Sequence, residues 1–360
     1  MHHHQLFTFI ALLALVGCQS KKDANPQPAF RFAPPAHFGT RFVIPADNPI
    51  TEAGFELGRM LFYDKQLSID QSVSCASCHQ QSKAFADGRP FSRGVAGANT
   101  KRNSMSIVNL LWVTRFNWDG KANTIEEQAL LALQSPTEMG ISLSEAAQRL
   151  QNDSRYPAKF RAAFGTETIT PDLIGKALAQ FERMLISSNS RFDKIIKGEV
   201  RATAREQAAI DLFMTHPVPQ INLRGGNCGD CHGSNLTTLN TFHNTGLDLI
   251  PKDLGLALIT GRLSDQGRFR APSLRNITLT APYMHDGRFN TLEEVLDHYN
   301  DHIQPTANLD PLIIEASNEV NGKTLGLTPQ EKQELLFFLN MLTDTDFIND
   351  PRFSNPFERR

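Results

Sequence analysis

The chain has 360 residues, of which 40% are hydrophobic, and a formal net charge of −2. This length is enough for two domains of ordinary size, each with its own core. Basic residues are neither in excess nor clustered, which argues against nucleic acid as a partner. The final pair, Arg359 and Arg360, is expected to belong to a solvated tail.

The N-terminus carries an apolar run from Leu6 to Val16. The run is too short to span a bilayer and ends in small residues, which is typical of an export signal. Residues 15–18 resemble a bacterial lipoprotein signal, in which cleavage leaves Cys18 as a lipidated N-terminus. We therefore predict a signal peptide over residues 1–17, a tether over residues 18–45, and membrane contact only through the lipid anchor.

Polar cap residues followed by apolar stripes predict a series of helices and almost no strands. The predicted helices span Thr51–Asp64, Ser104–Thr114, Thr124–Gln134, Ser142–Gln151 and Thr170–Ile186, and further helices begin at Thr203, Thr291 and Thr328. A break in the pattern over residues 188–201 predicts a domain boundary. The fold class is therefore all-α, with one domain over residues 46–195, a second over 196–348 and a tail over 349–360.

Two Cys-x-x-Cys-His sequences lie among these helices, one in each half: Cys75, Cys78 and His79, and Cys228, Cys231 and His232. This is the spacing for covalent attachment of a c-type haem, whose iron the histidine then ligates. A redox dithiol or half a zinc site could explain one Cys-x-x-Cys, but a histidine after both pairs favours haem. The fifth cysteine is Cys18, so none is left for a structural disulfide. We predict two covalently attached haem c groups.

The axial position opposite His79 is predicted to be open, because no histidine lies between it and His216. The methionines of this interval are expected in the core: Met105, Met139 and Met184. An open haem iron can bind peroxide or dioxygen. Peroxide cleavage also needs a group that moves a proton between the two oxygens. The candidates for that role are Glu138 and Gln128.

Several side chains downstream of His232 are candidates for its opposite axial position: His243, Met284, His285, His298, Tyr299 and His302. After Thr291, apolar residues recur at helical spacing and form one stripe that includes Tyr299. His298 and His302 lie off that stripe. A buried core tyrosine explains the stripe as well as an iron ligand does, so both interpretations remain open.

Motifs spread from about Leu57 to Leu342 carry a family resemblance: LGRMLFYDKQLS, RNSMS, NWDG, the second CxxCH, FHNTGL, FRAPSLRN and LTAPYMHDGRFNTLEEVLDHYN. In this combination the chain resembles the bacterial diheme cytochrome c peroxidases and the related methylamine-utilisation (MauG-type) diheme enzymes. The resemblance implies two cytochrome c-like haem domains, the N-terminal haem being peroxidatic and the C-terminal haem transferring electrons. The two domains are expected to pack around an inter-haem interface.

The resemblance also implies roles for single residues. Trp118 of NWDG matches an electron relay between the haems, and Gln128 and Glu138 match the amide and acid of the distal pocket. Three further positions match the oxygen ligands of a calcium ion between the haems: Asn103, Thr280 and Pro282. Oxygen-only ligation suits Ca²⁺. His285 matches a histidine that lies near the second haem without ligating it.

Two departures from the peroxidase pattern are expected to matter. Val95 stands where many of these peroxidases carry a histidine that blocks the peroxidatic haem until the other haem is reduced, which suggests a site open without such activation. Tyr299, fourteen residues after His285, stands where the electron-transferring peroxidases carry an axial methionine. The resemblance to the methylamine-utilisation enzyme implies a His232/Tyr299 haem iron of low reduction potential.

The resulting expectation is an exported, lipid-anchored oxidoreductase on the periplasmic side of the cell envelope that reduces H₂O₂. Its electron donor is expected to be a small periplasmic cytochrome c or copper protein. A MauG-type oxidase acting on a protein substrate is the alternative within the family, and a non-enzymatic diheme electron carrier is the alternative from another class. The resemblance suggests a monomer or homodimer.

Overall fold

A computed structural model describes residues 32–358. The predicted signal peptide, the lipidation site Cys18 and the final Arg359-Arg360 pair lie outside these residues. Within the described part of the chain, no helix is long and apolar enough to cross a membrane. From Ala33 onward the backbone forms one compact unit.

Helices dominate the described residues, and the all-α prediction is confirmed. The helices are α1 (Glu52–Tyr63), α2 (Cys75–Cys78), α3 (Ile125–Gln134), α4 (Leu143–Asn152), α5 (Pro157–Phe164), α6 (Pro171–Arg183), α7 (Arg191–Ile196), α8 (Ala204–Met214), α9 (Gly229–His232), α10 (Ala257–Thr260), α11 (Leu292–Asp297), α12 (Pro311–Ile314), α13 (Pro329–Met341) and α14 (Thr345–Ile348). One short antiparallel pair joins β1 (Phe242–His243) to β2 (Phe269–Arg270).

The predicted helix starts other than Ser104 are confirmed, because their polar caps form. The Thr51 side chain accepts a hydrogen bond from the Gly54 N–H at 3.0 Å. Before α8, α11 and α13, threonine and the glutamate three residues later cap each other reciprocally. Each such pair satisfies N–H groups that have no partner inside the helix, which stabilises the start by about 1 kcal/mol.

The helix predicted over Ser104–Thr114 is wrong: only a single 3₁₀ turn forms there, at Leu110–Trp112. Asn109 has a left-handed backbone (φ 58°), and its N–H donates to the Leu185 carbonyl at 2.8 Å instead of a local partner. Tertiary contacts therefore replaced the helical hydrogen bonds that periodicity suggested. Conversely, the predicted break over residues 188–201 contains α7, which is capped by Ser190 and Asp193.

Most buried apolar side chains of the described residues fall into two clusters. The first is built around α1, α3 and α6, and the second around α8 and α13. Gly58 of α1 lies against the backbone of Ala177 in α6, where a Cβ atom would come within 2.0 Å of the Ala177 carbonyl oxygen. Phe347 and Phe353, near the C-terminus, pack with the first cluster. The division into domains at residue 195 stays a prediction.

Part of the segment assigned to the tether is packed against the folded body. Phe38 is buried and meets Trp112 edge to face at 5.1 Å. The His37 ring bonds to Asp193 at 2.8 Å, and the Trp112 indole donates to the Gly39 carbonyl at 3.3 Å. The folded body therefore begins by residue 36 rather than at residue 46.

Candidate haem sites

The first motif forms a short helix with a defined start. Ser74 and Ser77 cap α2 reciprocally, and the His79 N–H donates to the Cys75 carbonyl at 3.0 Å. This turn holds both cysteines and the histidine on one element. The His79 ring donates from Nδ1 to the Phe85 carbonyl at 2.8 Å, which leaves Nε2 with its lone pair for a metal.

The second motif forms the equivalent turn, α9, with Cys228 at its N-cap. Gly229 packs so tightly on Met214 that a Cβ atom would lie 2.6 Å from the Met214 carbonyl oxygen, which explains glycine between these cysteines. The His232 Nδ1 donates to the Pro272 carbonyl at 3.0 Å, again leaving Nε2 for a metal. The two histidines thus have the same orienting hydrogen bond.

The electrostatics of both cysteine pairs argue against a redox dithiol. Burial raises the pKa of Cys78 to about 11 and of Cys228 and Cys231 to about 12, and raises that of Cys75 further. Reactive dithiols instead have lowered thiol pKa values. Within residues 32–358, no group of three or more His, Cys, Asp or Glu side chains is arranged to hold a metal ion, so a zinc site is not favoured either.

A cavity of about 660 Å³ lies at the second motif. Both cysteines and His232 line it, and Tyr299 lines it as well. Most other lining side chains are apolar. A cavity of this size with two thiols and a histidine on its wall fits a covalently held haem. Burial lowers the pKa of His232 to about 4, so the ring is neutral and able to ligate iron.

Contacts in the structure distinguish among the candidate side chains for the axial position opposite His232. Both ring nitrogens of His243 are occupied, by Asp310 at 2.8 Å and Thr241 at 2.7 Å. His285 stacks on Phe269 with ring centroids 3.7 Å apart. Tyr299 faces the cavity, and burial raises the pKa of its phenol.

The two histidines beside Tyr299 are also hydrogen-bonded. His298 is buried, although periodicity placed it off the apolar stripe, and its Nε2 donates to the Thr245 carbonyl at 3.0 Å. His302 Nδ1 donates to the Asp297 carbonyl at 3.1 Å. The stripe predicted one regular helix, but α11 continues as a π-helix over His298–His302. The wider turn changes which side chains face inward.

Glu138 lies beside the first motif, in the loop after α3. Burial raises the pKa of Glu138, opposed by a hydrogen bond from the Ser135 side chain and by the charge of Lys121. The charge of Glu138 in turn raises the pKa of both Cys75 and Cys78. A half-buried carboxyl with a raised pKa therefore acts through its charge on both cysteines of the first motif.

Val95 and Gln128 lie on segments connected to Glu138. The Val95 N–H donates to the Glu138 carbonyl at 2.9 Å, and the Val95 side chain is buried. Valine has no atom that can ligate iron. Gln128 is half-buried on α3, the helix that leads into the Glu138 loop. Met139 is in the first apolar cluster and Met184 packs against it, as expected for core methionines.

Trp118 lies on the wall of the cavity of the second motif. Its indole N–H donates to the Asn103 carbonyl at 2.8 Å. Asn103, Thr280 and Pro282, the predicted calcium ligands, line the same cavity. The Asn103 N–H also donates to the His285 carbonyl at 2.7 Å, which joins the RNSMS segment to the PYMHDG segment. The structure therefore brings the predicted calcium ligands and Trp118 to one cavity.

Two features of the site were missed by sequence reasoning. Arg270 is buried in the wall of the cavity of the second motif, although FRAPSLRN gave no signal of its orientation. Met105 lines the same cavity, and its sulfur lies 3.4 Å from Nη2 of Arg270. This contact joins segments that are far apart in the chain.

The chain is similar in sequence to known di-haem proteins. A family model described as di-haem cytochrome c peroxidase matches residues 52–201. Methylamine utilization protein MauG of Methylophilus methylotrophus is 33% identical over 298 residues, which cover 82% of this chain and 85% of that protein. Cytochrome c551 peroxidase of Nitrosomonas europaea is 31% identical over 247 residues, 67% of this chain and 71% of that protein.

A solved structure shares the fold at higher identity. It is the crystal structure of a MauG-like protein associated with microbial copper homeostasis. That chain superposes with a TM-score of 0.82 and is 38% identical, and the match covers 92% of this chain and all of that one. The similarity spans both Cys-x-x-Cys-His motifs.

Proposed function

Because this chain belongs to the di-haem cytochrome c peroxidase and MauG family, and is an oxidoreductase of that type with two c-type haems, we propose that it reduces H₂O₂ at the site of the first motif. Each turnover takes up two electrons and two protons and releases two waters. The haems supply the redox chemistry, while the chain binds peroxide, moves protons and excludes competing reactions.

The proposal rests on the carboxyl group of Glu138. A half-buried carboxyl whose charge acts on Cys75 and Cys78 is suited to accept a proton from the near oxygen of H₂O₂ and return it to the far oxygen. Its raised pKa brings proton uptake and release closer to neutral pH. Gln128, on the preceding helix, supplies an amide that orients the peroxide. Val95 leaves this pocket open without reductive activation.

Electrons reach the first site through Trp118, from a second haem held by His232 and Tyr299. The shared cavity of these three residues supports this assignment. Calcium bound by Asn103, Thr280 and Pro282 would order the segments on which Trp118 rests. The electron donor is a small periplasmic cytochrome c or copper protein. The enzyme works on the periplasmic side of the cell envelope, anchored by a lipid on Cys18.

A second function within the family is oxidation of a protein side chain, in which the substrate itself supplies the electrons. The similarity to methylamine utilization protein MauG over 82% of this chain, and a tyrosine facing the cavity of the second motif, favour it. A non-enzymatic carrier is the alternative from another class. Only the carrier predicts a purely low-spin resting ferric spectrum, because both of its irons would have two protein ligands.

The test is peroxide-dependent oxidation of a reduced small c-type cytochrome by Glu138→Ala and Glu138→Gln. Loss of proton transfer is expected to lower kcat/KM for H₂O₂ by roughly 100-fold or more, with haem spectra unchanged. In the wild type, kcat/KM is expected to rise with pH through the raised pKa of Glu138, because the ionised form accepts the proton. The kcat/KM of Glu138→Gln should not show this rise with pH.

The matched control is Glu56→Gln, which removes an exposed carboxylate paired with Arg59 on the surface of α1. Its activity should equal that of the wild type, since such surface pairs contribute little. Full activity in both Glu138 variants would remove the acid–base role of Glu138 from the proposal.

A further inference from the structure

Arg270 on β2 is a buried cation without an acidic partner. Its side chain is almost completely buried, and its neighbours are the Asn117 carbonyl, 3.4 Å from Nε, and the Met105 sulfur, 3.4 Å from Nη2. Neither atom carries a full negative charge, and a thioether is a weak acceptor. Burial lowers the pKa of Arg270 to about 10, and no carboxylate of the described residues counteracts this effect.

The other deeply buried arginines of the described chain do have carboxylate partners. Arg275 pairs with Asp193 at 2.6 Å, and neither side chain is exposed. Arg183 pairs with Glu126 at 2.7 Å. An unpaired buried charge is strongly destabilising, so this contrast indicates that Arg270 meets an anion that is not part of the polypeptide.

The cavity next to Arg270 has the corresponding charge pattern. Among the described residues that line it, the permanently charged side chains are Arg270 and the exposed Lys323, and neither aspartate nor glutamate is present. The charged side chains that line the cavity are therefore cationic, and the carboxylates that act on Cys228 and Cys231, those of Asp230 and Asp310, are not among its lining residues. A haem held by those cysteines would bring two propionate carboxylates into this space.

We propose that Arg270 binds a propionate carboxylate of the haem attached at Cys228 and Cys231, and thereby fixes the edge of that haem beside Trp118. A guanidinium and a carboxylate form two parallel charge-assisted hydrogen bonds, the strongest polar contact available in a buried site. This inference rests on the haem assignment and does not depend on peroxide reduction.

Arg270 is suited to this positioning role because its backbone is tied to the predicted relay. The Arg270 N–H donates to the Trp118 carbonyl at 2.9 Å. A propionate held by the guanidinium would therefore be anchored to the same segment that carries the indole. The guanidinium also offsets the negative charge of the propionate, which favours the reduced state of the attached haem.

The experiment compares Arg270→Gln, Arg270→Lys and Arg268→Gln in the haem-loaded full chain. The readouts are the midpoint potential of the haem attached at Cys228 and Cys231, and its propionate bending bands in resonance Raman spectra. At a fixed potential, Arg270→Gln should lower the ratio of reduced to oxidised haem about tenfold. This corresponds to a fall of about 59 mV in the midpoint potential of the one-electron haem couple. Its propionate bands should shift as well.

Arg270→Lys keeps the charge and should restore most of the potential. Arg268→Gln removes the same charge from the same segment, outside the cavity lining, and should match the wild type. Unchanged potential and propionate bands in a haem-loaded Arg270→Gln would overturn the proposal. If Arg270→Gln fails to retain haem, the haem content of Arg270→Lys is compared with it. Recovery of haem loading in Arg270→Lys supports the proposal, and a loss of haem equal to that in Arg270→Gln overturns it.

Discussion

The indole N–H of Trp118 donates to the backbone carbonyl of Asn103 across 2.8 Å. Asn103 is in turn joined to the segment after Thr280 by its own N–H, which donates to the His285 carbonyl at 2.7 Å. The position of the predicted electron relay therefore depends on the loop that carries the predicted calcium ligands. Electron transfer and calcium binding are expected to be coupled for this reason.

Trp118→Phe removes this hydrogen bond and the indole while keeping an aromatic ring. We expect electron transfer between the haems, followed by stopped-flow absorbance after peroxide is added, to slow by roughly tenfold or more, about 1.4 kcal/mol of barrier. The control is Trp112→Phe, because this indole also donates to a backbone carbonyl, that of Gly39 at 3.3 Å. Equal rates in wild type and Trp118→Phe would exclude the relay.

Tyr299→Met tests the second axial ligand by electron paramagnetic resonance and redox titration of the resting enzyme. Replacing a tyrosinate by a thioether should change the signal of the second haem and raise its reduction potential. Tyr283→Phe is the control, since Tyr283 lines the same cavity but donates to the Ile277 carbonyl at 3.1 Å. An identical signal before and after Tyr299→Met would show that Tyr299 only packs in the cavity.

Variants of Asn103 distinguish calcium ligation from a purely structural role of this side chain. Its Nδ2 donates to the Arg89 carbonyl at 2.8 Å, so the side chain also has a structural role. In calorimetric titration of chelator-treated protein, Asn103→Asp should keep Ca²⁺ affinity because an oxygen ligand remains, whereas Asn103→Ala should lose roughly tenfold or more. Absence of Ca²⁺ uptake by the chelator-treated wild type would contradict the site.

The buried side chain of Glu182 is expected to make the free energy of unfolding depend on pH. It is buried at the end of α6, and burial raises its pKa from 4.5 to about 8, opposed by the charge of Arg183 and aided by that of Glu126. The folded state therefore holds a proton that the unfolded state releases. The associated stability is fully present below pH 4.5 and is lost as the pH rises through about 8.

Denaturant titrations between pH 4.5 and 9 should therefore show a smaller free energy of unfolding at the alkaline end, by on the order of a few kcal/mol. Glu182→Gln should reduce this slope and be more stable than the wild type at pH 9. Glu334→Gln is the control, because Arg205 lowers the pKa of Glu334 and removes it from this window. If the free energy of unfolding of Glu182→Gln falls with pH as steeply as that of the wild type, groups other than Glu182 cause the pH dependence.

Local patterns predicted much of the helical framework correctly. Helix starts at Thr51, Thr203 and Thr328 depend on side chains within three residues, so the sequence reports them directly. The prediction of a helix over Ser104–Thr114 is wrong because the backbone N–H of Asn109 donates to the carbonyl of Leu185, 76 residues further along the chain. The π-helix at His298–His302 likewise involves a distant carbonyl, that of Thr245, which periodicity does not register.

The sequence by itself determined which residues attach haem, because covalent attachment needs only the spacing of Cys75, Cys78 and His79 and its repeat. Only the tertiary structure decided that Arg270 is buried without a carboxylate partner, that the Trp118 indole donates to Asn103, and that Tyr299 faces the cavity of the second motif. These relations join segments distant in the chain. Burial and charge compensation are properties of the packed molecule, so no local pattern encodes them.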